Sequence, residues 1–127
     1  MNTPNANHPF AQAIEKMHAK IAAALNGKRR IVIYAAYPDD ASDLPIDNLN
    51  EIAVQGECRL IRKNHFKMGR VFMSEPVTNP TWLQVAVFAN CSIEVFCDEN
   101  HIFLEDLLIR QVDERSAIPL YSIYMGS

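Results

Sequence analysis

Between Thr81 and Cys97 the chain is apolar on almost every side, with Gln84, Asn90, Ser92 and Glu94 its strongly polar interruptions. Asn79-Pro80 opens the segment and Asp98-Glu99-Asn100 closes it. A surface helix shows one apolar stripe, so a helix that is apolar nearly all round must be wrapped by the rest of its domain or by a partner chain. The segment is shorter than the ~20 residues that span a bilayer, and its polar side chains and acidic exit also speak against a membrane span.

The chain has 127 residues, enough for one domain with a core that needs no disulfide or metal. It is 49% hydrophobic and 21% charged, a balance typical of folded globular chains. The net charge of -3 excludes a strongly basic nucleic-acid binder and leaves room for a local basic patch. Cys58, Cys91 and Cys97 are odd in number, and Met1 to Pro9 lacks a cationic start followed by an apolar run. The expectation is therefore a cytoplasmic protein with reduced thiols and no signal peptide.

Met1 to Asn7 reads as a polar tail, and residues 8–127 as a single domain. Phe10, Ile14, Met17, Ile21 and Leu25 recur at helical spacing, and Asn26-Gly27 supplies the stop. Ile31 to Tyr37 reads as a buried strand ended by Pro38. Asp39 to Asn50 reads as an exposed acidic loop. Ile52, Val54, Cys58 and Leu60 mark one face of a second strand with Gly56 as a bulge, and Phe66 to Ser74 returns as its partner. Glu75 to Asn79 leads into the apolar helix, with Pro80 in its first turn. Ile102 to Gln111 and Ile118 to Met125 read as a C-terminal hairpin, with Pro119 at an edge or just before the last strand. The predicted fold is α+β in the order α-β-β-β-α-β-β, an antiparallel sheet with helices packed mainly on one face.

The densest cationic stretch is Arg59, Arg62, Lys63, His65, Lys67 and Arg70, in the middle hairpin. Arg59, Lys63, His65 and Lys67 fall on one strand face, which can attract an anion or an acidic partner. The competing reading is a solvated face whose cations discourage edge-to-edge aggregation. Asp39, Asp40, Asp43, Asp47 and Glu51 lack the spacing of a calcium loop, so they are expected to solubilise a loop or to pair with the basic hairpin. Asp98, His101 and Glu105 gather acid-base groups without a nucleophile, and the favoured reading is a helix-terminating turn at Asp98 to Asn100 with His101 at the strand entrance. Cys97 and His101 have zinc half-site spacing with no second pair, so no metal or other cofactor is expected. Asn90 demands partners if buried, either as a packing device or in a pocket with Trp82.

The best-supported function from these residues is a non-enzymatic interaction protein, an adaptor, chaperone-like subunit or inhibitor, acting as a homodimer through surplus apolar surface. The alternative is a module that binds nucleic acid or a small anionic ligand through the basic hairpin. A small enzyme built on His101 ranks third.

Overall fold

The computed structural model describes residues 9–36, 45–63, 70–104, 110–113 and 117–126. The first helix, α1 (Pro9–Ala24), buries Met17 and Ile21, and Leu25 in the turn that follows is buried on the same spacing. It ends where Asn26 and Gly27 take positive φ values of 53° and 87°, a conformation that costs glycine least. The second helix, α2 (Trp82–Phe96), has Thr81 and Gln84 in a reciprocal capping box, which satisfies amides that no helical carbonyl can reach. Pro80 lies before that cap and outside the first turn: it is buried, and its carbonyl accepts the Ala53 amide. Cys97 closes the helix in the left-handed conformation. Of the polar residues in this helix, Asn90 and Ser92 are buried while Gln84 and Glu94 are exposed.

The strands are β1 (Ile33–Tyr34), β2 (Glu57–Lys63), β3 (Val71–Met73), β4 (Val77–Thr78), β5 (Phe103–Leu104), β6 (Arg110–Asp113), β7 (Leu120–Ser122) and β8 (Met125–Gly126). They make a single α+β domain in roughly the expected order, but with eight strands among the described residues where five were expected, and with mixed sheets in place of a purely antiparallel one. One sheet runs β1-β5-β8; the other runs β3-β2-β7-β6, with β4 also on β2. The pairs β1 with β5 and β2 with β7 are parallel, and the remaining pairs are antiparallel. The C-terminal segment joins the sheets, because β7, antiparallel to β6, leads through Ile123 and Tyr124 into β8, antiparallel to β5.

Several boundaries differ from the sequence reading. Among the described residues of the expected strand from Ile31 to Tyr37, only Ile33 and Tyr34 are strand, because the Ile31 and Val32 amides are taken by the Asn90 side chain. Ile52 to Val54 form no strand; Ile52 makes an isolated bridge to Thr81. The strand begins only after Gly56, whose φ of 89° turns the chain into it. The second half of the expected exposed loop is packed, since Pro45 and Asn48 are buried and Leu49 is fully so. Asp39, Asp40 and Asp43 lie outside the described residues.

One core joins both helices to the inner face of the strands: Met17 and Ile21 from α1, Val85, Ala86, Ala89 and Ile93 from α2, with Tyr34, Cys58, Leu60 and Leu104. Among the described residues no helix is long and apolar enough to cross a membrane.

Candidate functional site: the end of the second helix and the basic hairpin

Alternation along β2 points Cys58, Leu60 and Arg62 to the core side and Glu57, Arg59, Ile61 and Lys63 to the opposite face, where Ile61 is nevertheless buried. Arg62 is accordingly buried, 5% exposed. Its Nη1 donates to Ser92 Oγ at 3.0 Å and its Nη2 to Asp98 Oδ2 at 3.2 Å. Ser92 Oγ donates onward to the Ala89 carbonyl at 2.7 Å. The guanidinium also lies over the Phe96 ring, 5.2 Å from its centroid, with Arg70 at 5.6 Å, a favourable placement of a cation on a π face. Burial lowers the Arg62 pKa from its ordinary value, and Asp98 opposes that shift.

Asp98 stands at the centre of this cluster. His101 Nδ1 lies 2.8 Å from its Oδ2, and the Asn100 amide donates to its Oδ1 at 3.3 Å. Burial works to raise the Asp98 pKa, yet the hydrogen bond and charge of His101, the Asn100 amide and Arg62 together carry it below the ordinary carboxylate value. The aspartate thus does two structural jobs, as turn acceptor after the helix and as counter-charge to a buried arginine. Ser92 is fully buried, so it offers no accessible nucleophile to His101. Glu105, the third candidate acid, lies outside the described residues. No cluster of histidine, cysteine or carboxylate side chains among the described residues could hold a metal ion. The Cys58 thiol is pushed up by burial, which makes it a core side chain and a poor nucleophile.

Asn90 is fully buried and satisfied. Its Oδ1 accepts the amides of Ile31 at 2.6 Å and Val32 at 2.9 Å, and its Nδ2 donates to the Arg29 carbonyl at 3.0 Å and Glu94 Oε1 at 3.4 Å. The amide fixes the segment entering β1 against α2, the packing role weighed for it from sequence. Trp82 is half-buried and stacks on Tyr34 with ring centroids 6.1 Å apart, at the edge of the core. Trp82 opens the helix, and Asn90 sits two turns further on.

The basic hairpin is divided by the fold. Arg62 turns inward, whereas Arg59 is half-buried, Lys63 and Arg70 are exposed, and His65 and Lys67 lie outside the described residues. Arg59 Nη1 reaches the Ser74 carbonyl at 3.4 Å and Met73 Sδ at 3.8 Å. Asp47 does not pair with this hairpin: it forms an ion pair with Lys20 of α1. Beside these cations, Val71 and Met73 of β3 are exposed at 48% and 43%.

Sequence reasoning missed Ser92 as the partner of Arg62, and the acceptor role of His18, whose Nε2 takes the Tyr34 amide at 3.2 Å. The inward turn of Arg62 was legible from its even spacing with Cys58 and Leu60. No local signal pointed from His18 to Tyr34. No protein-family model, curated protein or solved structure gives a match to this chain.

Proposed function

We propose that this chain is a non-catalytic interaction protein whose working surface is the outer side of the β2–β3 hairpin. The observation that carries the reading is the contrast between used and unused side chains. Arg62, Asp98 and His101, the best acid-base group in the chain, are engaged with one another and with α2. Val71 and Met73 instead present apolar surface beside Arg59 and Lys63. Large apolar side chains next to cations, on a strand at the end of a sheet, suit a protein partner better than a small substrate. A photo-cross-linking amino acid placed at Met73 is expected to form covalent protein adducts in the native cell. The same group at Lys16, exposed on α1, is the control. No adduct from position 73, or equal adducts from both positions, would overturn the reading.

The second reading, a site for an anionic ligand or nucleic acid, keeps Arg59, Lys63 and Arg70 but loses Arg62, whose guanidinium is committed to Asp98 and Ser92. It requires binding that weakens steeply with salt and with replacement of those three exposed or half-exposed cations.

A further inference from the structure

We propose that the open edge of β3 is a two-fold interface with a second copy of this chain, paired antiparallel in the register centred on Phe72. The proposal rests on the interaction reading above and names its partner. Among the described residues, β3 ends its sheet, with β2 on one side and no strand on the other.

The backbone polarity of that edge follows from the ladder. The Ser74 amide donates to the Leu60 carbonyl, and the Ile61 carbonyl accepts the Ile123 amide. Even-numbered residues of β2 therefore direct their backbone groups toward β3, and odd-numbered ones toward β7. Leu60 and Ser74 form a hydrogen-bonded pair, so Arg62 and Phe72, two residues along, form the next. Val71 and Met73, opposite Lys63 and Ile61, then direct their own amides and carbonyls away from β2, to the open edge.

A two-fold axis through Phe72 places Val71 opposite Met73 of the other copy, and Met73 opposite its Val71. Each such pair can exchange both backbone hydrogen bonds. Both side chains lie on the outer face of the sheet, so the same register covers the two exposed apolar groups of the strand with each other. Contacts in which residue i meets j and j meets i define an isologous interface. A parallel pairing would set exposed Arg70 beside the second Arg70 and exposed Glu75 beside the second Glu75. The antiparallel register instead separates both like-charged pairs, leaving the two Arg70 side chains, each on its own Phe96 ring, at opposite ends of the paired stretch. Pro76, which cannot donate to a ladder, falls outside the paired stretch.

The strand is also held ready for pairing. Phe72 stacks on Phe88 of α2, ring centroids 5.1 Å apart, and Ser74 Oγ accepts the Leu60 amide at 2.8 Å.

The register is tested by single cysteines in a Cys91→Ser/Cys97→Ser background, which removes the two thiols that are not fully buried. Val71→Cys and Met73→Cys are prepared separately, then oxidised alone and mixed. In the proposed register the mixture brings the two thiols directly opposite, while either variant alone leaves them diagonal, about 7–8 Å apart and too far for an unstrained disulfide. The expected result is a disulfide-linked dimer at least several-fold more abundant in the mixture than in either variant alone. In parallel, the wild-type chain should rise toward twice its monomer mass with concentration, and Met73→Lys should raise the dissociation constant about tenfold, since each cross-strand pair occurs twice. Equal cross-linking in all three preparations, or Met73→Cys alone in the lead, overturns the register. A wild-type mass of one chain at every concentration up to the millimolar range overturns the dimer. In that event, adducts of other proteins at position 73 leave the interaction reading standing, and their absence removes both.

Discussion

Asn90 and Arg62 both bring a polar group into the interface between α2 and the strands, and they are satisfied by different means. Asn90 is neutral and meets backbone: two amides and one carbonyl of the segment entering β1, with Glu94 as its fourth partner. Arg62 is charged and meets side chains: Ser92, Asp98 and the Phe96 ring. A neutral amide in a fully satisfied pocket gives the chain a fixed geometry at any pH. A buried ion pair has to offset the desolvation of both charges, and its contribution depends on the carboxylate staying ionised. The comparison teaches that the first anchor positions β1, whereas the second makes the junction of β2, the end of α2 and the following turn sensitive to charge.

The largest effect is expected where backbone groups lose their partner. Asn90→Leu keeps the side-chain volume roughly constant but leaves the Ile31 and Val32 amides without an acceptor, at a cost of about 2–4 kcal/mol. Urea unfolding of the variant measures it. A loss below that of the charged anchor would reverse the ranking of the two sites.

Asp98→Asn is the matching test of the charged anchor. It preserves shape while leaving Arg62, whose side chain is 6% exposed, without its counter-charge. The aspartate retains some contact with water, so the expected cost is about 1–3 kcal/mol, below the full penalty of breaking a buried pair. Adding Arg62→Met to that variant should recover stability, because the stranded charge goes with it. A double variant less stable than Asp98→Asn would show that Arg62 contributes through packing on Phe96 more than through its charge.

The two anchors also differ in how readily sequence revealed them. Asn90 stood out because an amide inside a nearly all-apolar helix has no solvent face to turn to, so its polarity demanded partners. The helices were legible for a related reason: periodicity and caps such as Thr81 and Gln84 act over a few residues. Arg62 stood among the cations of its hairpin, and its even spacing with Cys58 and Leu60 set it inward. Its partners Ser92 and Asp98, 30 and 36 residues further along the chain, could not be read locally. The same non-local dependence explains why β1 is shorter than its β-branched run: Asn90, some sixty residues later, takes the amides of Ile31 and Val32.

Acid should sharpen the distinction. The Asp98 pKa is lowered from its ordinary 3.8, so the unfolded chain binds a proton at that carboxyl before the folded chain does. Its stabilisation is complete above the unfolded value and is lost as pH falls below 3.8 through the folded value. Asp98→Asn should therefore flatten this acid limb, while Asn90→Leu should lower the whole curve with the limb intact. Thermal unfolding at a series of acidic pH values checks both. A limb that persists in Asp98→Asn assigns the acid sensitivity to other carboxylates, such as Asp47, whose pKa is also lowered.

His18 supplies the finest test, because it does the work of Asn90 with a group that titrates. Further along the same segment, its Nε2 accepts the Tyr34 amide, an arrangement that requires that nitrogen to be unprotonated. Burial, and then the charge of Arg30, lower its pKa from 6.5. Below 6.5 the unfolded chain takes up the proton first, so this contribution is complete above that value and fades as pH falls through the folded pKa. Protonation then turns the acceptor into a donor facing a donor. The hydrogen-exchange protection of the Tyr34 amide should fall across that interval, while that of the Ile31 and Val32 amides, held by an oxygen that does not titrate there, should stay constant. Loss of protection at all three together would mean that the segment from Ile31 to Tyr34 opens as one unit, and that neutral and titrating anchors are coupled through the strand they share.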